Sequence, residues 1–320
     1  MTPVTLTPQL PSTPFNYSNV VFPAHIANYL PSVDNTPSNN HISNEGATLG
    51  RVLFYDKHLS KNNSISCSSC HNPSLSFNDT AQLSKGFEGG LTARNSMSLL
   101  NLRFYASGKM FWDERAATLE EQVLMPIQNH TEMGMTLPEL EASVVSQSYY
   151  PVLFQKAFGT PQVTADRISK ALAQFLRSIV TYQSKYDQVK QGLVTFTPDE
   201  QIGEALFLNG PAPGVPSCAG CHAPPMFETS FPVGPFGLFD PTDHGINNQN
   251  RFKSGSLRNI ALAKGLFHNG SVANLQTMLA SNIPAHGVPP PDRVRLLAFL
   301  STLTDNSVVT EPKFSNPFQP

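Results

Sequence analysis

All four cysteines of this 320-residue chain fall in two short runs of one design, Cys67-Ser-Ser-Cys70-His71 and Cys218-Ala-Gly-Cys221-His222. Two thiols three positions apart, followed at once by an imidazole, form the pattern that attaches a c-type haem: each sulfur adds to one vinyl group and the histidine faces the iron. A chain with two such runs must fold around two large planar groups. With 9 His in the chain, both pairs being followed by histidine through chance has a probability of about one in a thousand. Zinc and structural disulfides are the competing readings of paired cysteines. A four-cysteine zinc site places its pairs about 15 to 20 residues apart, far closer than Cys70 and Cys218 stand, and disulfides give the two histidines no task.

The chain is 40% hydrophobic and long enough for two buried cores, one for each haem site. A formal net charge of −2, with only 14% charged residues, gives no sign of nucleic acid or an acidic membrane surface as partner. No apolar run reaches the 18 or so residues of a membrane span, and Met1-Thr2-Pro3 opens no basic and apolar signal segment. Most bacteria attach haem covalently outside the cytoplasmic membrane. The sequence is therefore read as an exported, periplasmic protein in a form without its export signal.

Pro, Asn, Ser and Thr dominate residues 1–40 without apolar periodicity, which predicts an irregular arm along the surface. Residues 41–190 and 191–320 are then expected to form one haem domain each, the last helix returning to the first. A faint internal repeat supports the division: Gly50-Arg-Val-Leu-Phe54 precedes the first cysteine run and Gly203-Glu-Ala-Leu-Phe207 the second. Thr197-Pro198-Asp199-Glu200 offers a cap, a proline at the first helical position and a capping-box carboxylate, with Gly210 as a stop. Ile168, Leu172, Phe175, Ile179 and Tyr182 recur at three- and four-residue steps after Thr164, predicting an amphipathic helix. Pro291-Asp292 opens a final helix with Val294, Leu297 and Leu300 on one face, and Pro and Gly make 211–245 a long loop. The expected fold is mainly α, two cytochrome c-like haem domains with long loops.

Further motifs follow in a fixed order: Leu49-Gly50-Arg51, Leu59-Ser60, Arg94-Asn95-Ser96, Phe111-Trp112-Asp113-Glu114-Arg115-Ala116, Gln122, Glu132, Ser256-Leu257-Arg258-Asn259 and Phe267-His268-Asn269-Gly270. With the two haem runs, this order resembles the bacterial di-haem cytochrome c peroxidase family, which includes tryptophan-oxidising relatives. The resemblance runs from about Leu49 to Leu303. It implies an oxidoreductase with two covalent haems, reducing hydrogen peroxide to water with electrons passed from the second haem to the first. It implies iron ligation by His71 and His222, a tryptophan between the haems at Trp112, and Gln122 and Glu132 over the open face of the first haem. That role suits the chemistry: a carboxylate in a partly desolvated pocket can take the peroxide proton and return it to the outer oxygen, while Gln122 donates a hydrogen bond. Arg115 is expected to pair with a haem propionate, or else to bridge Asp113 at the surface. A calcium ion between the haems, held by Asn95 and backbone carbonyls, is also implied.

The chain departs from the family at two places. The loop ahead of Arg94, Leu83 to Ala93, contains no histidine to block the first iron, so the first haem is expected to keep an open face. At the family's position for the second haem's distal Met or Tyr stands Asn282, a poor ligand; Met278 is expected to substitute, with His286 as the alternative. His268 is read as a neighbour of the haem. The partners implied are hydrogen peroxide and a small redox protein, a cytochrome or a copper protein. The alternative is a partner protein whose tryptophan or tyrosine is oxidised, which the open face favours. A plain di-haem electron carrier would have no use for Gln122 and Glu132.

Overall fold

The structure is a computed structural model that describes residues 7–210, 216–229 and 240–318. Among the described residues the regular elements are helices, and extended residues meet only in isolated bridges. Helices of five residues or more run α1 Asn44–Tyr55, α2 Leu119–Gln128, α3 Leu137–Val145, α4 Tyr150–Phe158, α5 Ala165–Arg177, α6 Lys185–Lys190, α7 Pro198–Asn209, α8 Leu275–Leu279 and α9 Pro290–Ser301. Local chemistry sets their starts. Thr164 caps α5 through the Arg167 amide, and Thr197 and Glu200 close a reciprocal capping box on α7, with Pro198 at the first position and Gly210 at the end.

The faint repeat becomes a repeated helix crossing. In the first half α1 lies on α5, and a Cβ added at Gly50 would stand 2.0 Å from the Ala171 carbonyl oxygen and 2.8 Å from Phe175 Cβ. In the second half α7 lies on α9, and a Cβ at Gly203 would stand 2.1 Å from the Arg295 carbonyl oxygen and 2.8 Å from Phe299 Cβ. Each pair of helices approaches backbone to backbone at a glycine, because no side chain fits between them. Phe54 then meets Phe175 at 5.4 Å between ring centroids, and Phe207 meets Phe299 at 5.4 Å. Burying one such ring stabilises a fold by roughly 1.5–3 kcal/mol.

Each crossing seeds one core. The first gathers Leu53, Phe54, Phe77, Tyr150, Leu172 and Phe175; the second gathers Tyr186, Phe207, Phe227, Leu296, Phe299 and Leu300. The last turns of the chain, Ser307–Thr310 and Pro312–Phe314, return to the first core through Val308 and Phe314. On α9 the buried face is Leu296, Phe299 and Leu300, while Val294 is exposed. The expected face of Val294, Leu297 and Leu300 is thus rotated, because the close approach at Gly203 fixes which side of α9 meets α7.

The arm differs most from its expected surface course. It is irregular apart from single turns at Ala24–Ala27 and Leu30–Ser32, yet Tyr17, Ile26 and Val33 are buried, and Ile26 and Val33 join Phe104, Val180 and Met226 in a third cluster. His25 Nε2 lies 2.9 Å from Asp187, which also receives both Arg258 guanidinium nitrogens at 2.8 Å. Burial alone would raise Asp187, but the bonds and charge of Arg258 outweigh it and hold the carboxylate below its usual range. The arm clasps the junction of the halves at a fully buried ion pair.

Candidate active site

The first cysteine run is a single helical turn, Cys67–Cys70, capped by a reciprocal pair of serine hydroxyls, Ser66 and Ser69. The i, i+3 spacing sets both thiols on one side of that turn. His71 leaves the helix at φ −121, ψ 75, and its Nδ1 meets the Phe77 carbonyl at 3.2 Å. A carbonyl only accepts, so Nδ1 carries the proton and Nε2 keeps its lone pair. The second run repeats this design: Cys218–Gly220 form a short turn, and His222 Nδ1 is 3.2 Å from the Ser254 hydroxyl, with hydrogen bonding to the backbone of Phe227 and Gly255. Burial lowers the basicity of both imidazoles, His222 to about 4, so each is neutral and able to ligate.

Burial pushes the thiols up, Cys67 to about 12 and Cys70 and Cys218 to about 11, and Cys221 rises for the same cause. The two pairs line separate cavities, and among the described residues no cluster of three or more His, Cys, Asp or Glu could hold a metal. Zinc shared by the two pairs is thereby excluded. The second cavity, of ≈ 560 Å³, is walled by Cys218, Cys221 and His222 and lies in the usual range for a large organic ligand. The first is narrower, ≈ 90 Å³, and is walled by Cys67, Cys70 and His71. At the first site the donor set carries the fit to haem; at the second, donors and volume both do.

Gln122 of α2 and Glu132 of the following turn face the first cavity together with His71. The family resemblance implies this grouping, and the fold brings the two residues together by ending α2 at Gln128 and folding the chain back, Gly134 amide to Asn129 carbonyl at 2.9 Å. Burial raises the Glu132 carboxyl above its ordinary range, while the Arg115 charge pulls the other way. Asn129 Nδ2 donates to Glu132 Oε1 at 3.1 Å, which orients the group. The loop without histidine is fastened to the backbone that carries this side chain: the Phe87 amide donates to the Glu132 main-chain carbonyl at 2.9 Å, and a Cβ at Gly86 would sit 1.6 Å from the Thr131 carbonyl oxygen. From it Gly86 and Thr92 reach the cavity wall. Met133, also on the cavity wall and buried, is a sulfur that the sequence reading did not single out.

Trp112 lines the second cavity and donates its indole N–H to the Asn95 carbonyl at 2.8 Å. The adjacent Ser96 touches both cavities, so the Asn95-Ser96 backbone is the partition between them. Asn95 donates its side-chain amide N–H groups to the carbonyls of Gln82 at 2.9 Å and Ala81 at 3.5 Å, which leaves free its amide oxygen, the atom that a calcium ligand presents. Arg115 bonds Asp113 at 2.8 Å and lies over the Phe111 ring at 3.6 Å, the bridge to Asp113 being the second of its two expected roles. His268 lines the second cavity, buried and stacked on Phe252 at 3.8 Å, with Nε2 3.6 Å from Asp240. Met278 and His286 both line that cavity.

The sequence profile of the di-haem cytochrome c peroxidase family matches residues 44–195. The cytochrome c551 peroxidase of Nitrosomonas europaea is 36% identical over 286 residues, covering 86% of this chain and 83% of that protein. The methylamine utilization protein MauG of Methylorubrum extorquens is 31% identical over 303 residues, covering 87% and 83%. Among solved structures, a MauG-like protein associated with microbial copper homeostasis superposes with a TM-score of 0.81 at 29% identity, covering 94% of this chain and 99% of that one. The diheme peroxidase BthA of Burkholderia thailandensis shares the fold at a TM-score of 0.70 and 22% identity, covering 95% and 93%.

Proposed function

Since the chain belongs to the di-haem cytochrome c peroxidase family, an oxidoreductase reducing hydrogen peroxide with two c-type haems, we propose how its own residues carry that reaction. Cys67, Cys70 and His71 hold the peroxide-reactive haem, and Cys218, Cys221 and His222 the electron-transfer haem. The haems supply the redox chemistry, two electrons for each peroxide, which with two protons leaves as two waters. Glu132 takes a proton from peroxide at the first cavity and returns one to the outer oxygen, so that oxygen leaves as water and not as hydroxide. Its burial suits it to both directions of transfer, because a raised carboxyl pKa lies nearer neutrality. Gln122 holds the peroxide oxygens by a side-chain N–H. Trp112, on the partition between the cavities, offers the charge a conjugated resting place. A calcium ion between the haems would take the Asn95 amide oxygen together with backbone carbonyls.

The observation that carries this reading is the convergence of Gln122, Glu132 and His71 on one cavity separate from that of His222. A plain electron carrier has no use for a half-buried proton donor in the cavity of one haem-attachment site. We assign the cores at 41–190 and 191–320 as the two haem domains and the periplasm as the working compartment, where a small cytochrome or copper protein would supply electrons. Among the described residues no helix is long and apolar enough to cross a membrane. The histidine-free loop fastened over Glu132 favours a second source of electrons, a tryptophan or tyrosine of a partner protein. Peroxide turnover with reduced small cytochromes and copper proteins as donors tests the first: sustained turnover supports it. Peroxide consumption that stops after one equivalent with every such donor would overturn it in favour of the second.

A further inference from the structure

Two side chains of the second cavity compete for the position opposite His222: Met278 on α8 and His286 in the loop that follows. Building on the assignment of that cavity to a haem, we infer that His286 is the sixth ligand of the second haem, which is therefore held between two imidazoles. Both histidines line one cavity, the one walled also by Cys218 and Cys221. The His286 Nδ1 is 2.9 Å from the Pro284 carbonyl. That carbonyl can only accept, so Nδ1 is protonated and Nε2 offers its lone pair, the state that Phe77 imposes on His71.

The loop carrying His286 is shaped around it. Ser281 Oγ accepts from the Ile283 amide at 3.2 Å, and the Ile283 carbonyl accepts from the amides of His286 and Gly287, each at 3.1 Å. The Val288 amide then ties the loop to Leu279 at 3.1 Å. Ala285, just before the histidine, sits at φ +63, a left-handed conformation that costs a residue with a side chain about 1–2 kcal/mol. Just after it, a Cβ at Gly287 would lie 1.9 Å from the Ser281 carbonyl oxygen, so the loop closes only with glycine there. Phe267 meets the His286 ring edge to face at 5.1 Å and limits its rotation. Met278 has none of this support. It lies in α8 between Thr277 and Leu279 and contributes its thioether to the second core as packing.

Two imidazoles favour ferric iron more than an imidazole and a thioether do, because a thioether ligand raises the potential. The second site then enters the reaction oxidised, in keeping with a first cavity that no histidine blocks. The test uses the purified holoprotein. Electron paramagnetic resonance should show the low-spin signal of a bis-imidazole haem, unchanged in Met278→Leu. In His286→Ala that signal should disappear and return on addition of free imidazole; in His286→Met it should change type while the reduction potential of the second haem rises. A low-spin signal that survives in His286→Ala but is lost in Met278→Leu would overturn the assignment. Mass spectrometry after acid denaturation separates this from the reading beneath it: fewer than two attached haems on the parent polypeptide would refute the haem site itself, whatever the spectra of the variants.

Discussion

Replacing Glu132 by glutamine keeps the shape of the side chain and its bond to Asn129, and removes its proton transfer. General acid–base assistance by one positioned group is worth about 10²–10⁴ in rate, or about 3–5 kcal/mol of barrier at roughly 1.4 kcal/mol for each tenfold. The structure adds a pH signature to this loss. Burial raises the carboxyl and Arg115 lowers it, with burial the larger effect. The group therefore holds its proton to a higher pH than an ordinary carboxylate and acts as a base only above that raised pKa. In stopped-flow mixing with peroxide, the parent's rate should climb with pH through a limb lying above the ordinary carboxylate range. Glu132→Gln should be slowed by about 10²–10⁴ and should lose that limb. Arg115→Gln should keep the activity and move the limb to higher pH, because it removes the opposing charge. A Glu132→Gln variant with the parent's rate and the parent's limb would take the carboxylate out of the mechanism.

Trp112→Phe should leave both haems attached, cost about 1 kcal/mol for the lost bond to the Asn95 carbonyl, and slow the oxidation of the second haem after peroxide reaches the first; equal rates in rapid-mixing spectra would return Trp112 to packing. The resting, fully oxidised protein should react with peroxide without prior reduction and show one high-spin and one low-spin signal, whereas two low-spin signals with reactivity gained only on reduction would place a ligand such as Met133 on the first iron. Gly203→Ala should destabilise the chain by about 1–3 kcal/mol or more in denaturant unfolding, the cost of overpacking a close contact, and Gly50→Ala should match it; variants as stable as the parent would mean that the crossing helices part freely.

The legible parts of this molecule were those written in local chemistry. Cysteine pairs followed by histidine, the threonine caps of α5 and α7 and the apolar steps from Ile168 to Phe175 each stand where the sequence placed them, but α5 ends at Arg177 and leaves Ile179 and Tyr182, the last steps of the expected helix, outside it. The spacing of Trp112, Gln122 and Glu132 was legible for another reason: it matched a family order, and the fold then brought Gln122 and Glu132 to one cavity while setting Trp112 on the wall of the other. The arm was not legible, because its burial depends on partners far along the chain. His25 reads as a polar residue of a loop until Asp187 and Arg258 are known to meet beside it, and no periodicity announces a buried ion pair assembled from three distant segments. The rotated face of α9 failed for the same reason, since Val294 and Leu296 differ little in apolar character and only the glycine of another helix decides between them.

The same dependence explains the second haem's distal side. Read by family position, the ligand falls on Asn282, and read by residue type, the sequence leans to Met278 over His286, since a thioether is an established haem ligand. What favours His286 lies in the backbone around it: a left-handed Ala285, a glycine that closes against Ser281, and a carbonyl that fixes the proton on Nδ1. Such strain is retained where a loop has to aim a group. A loop that only linked α8 to α9 would gain nothing by holding a non-glycine residue at φ +63 beside a half-buried imidazole.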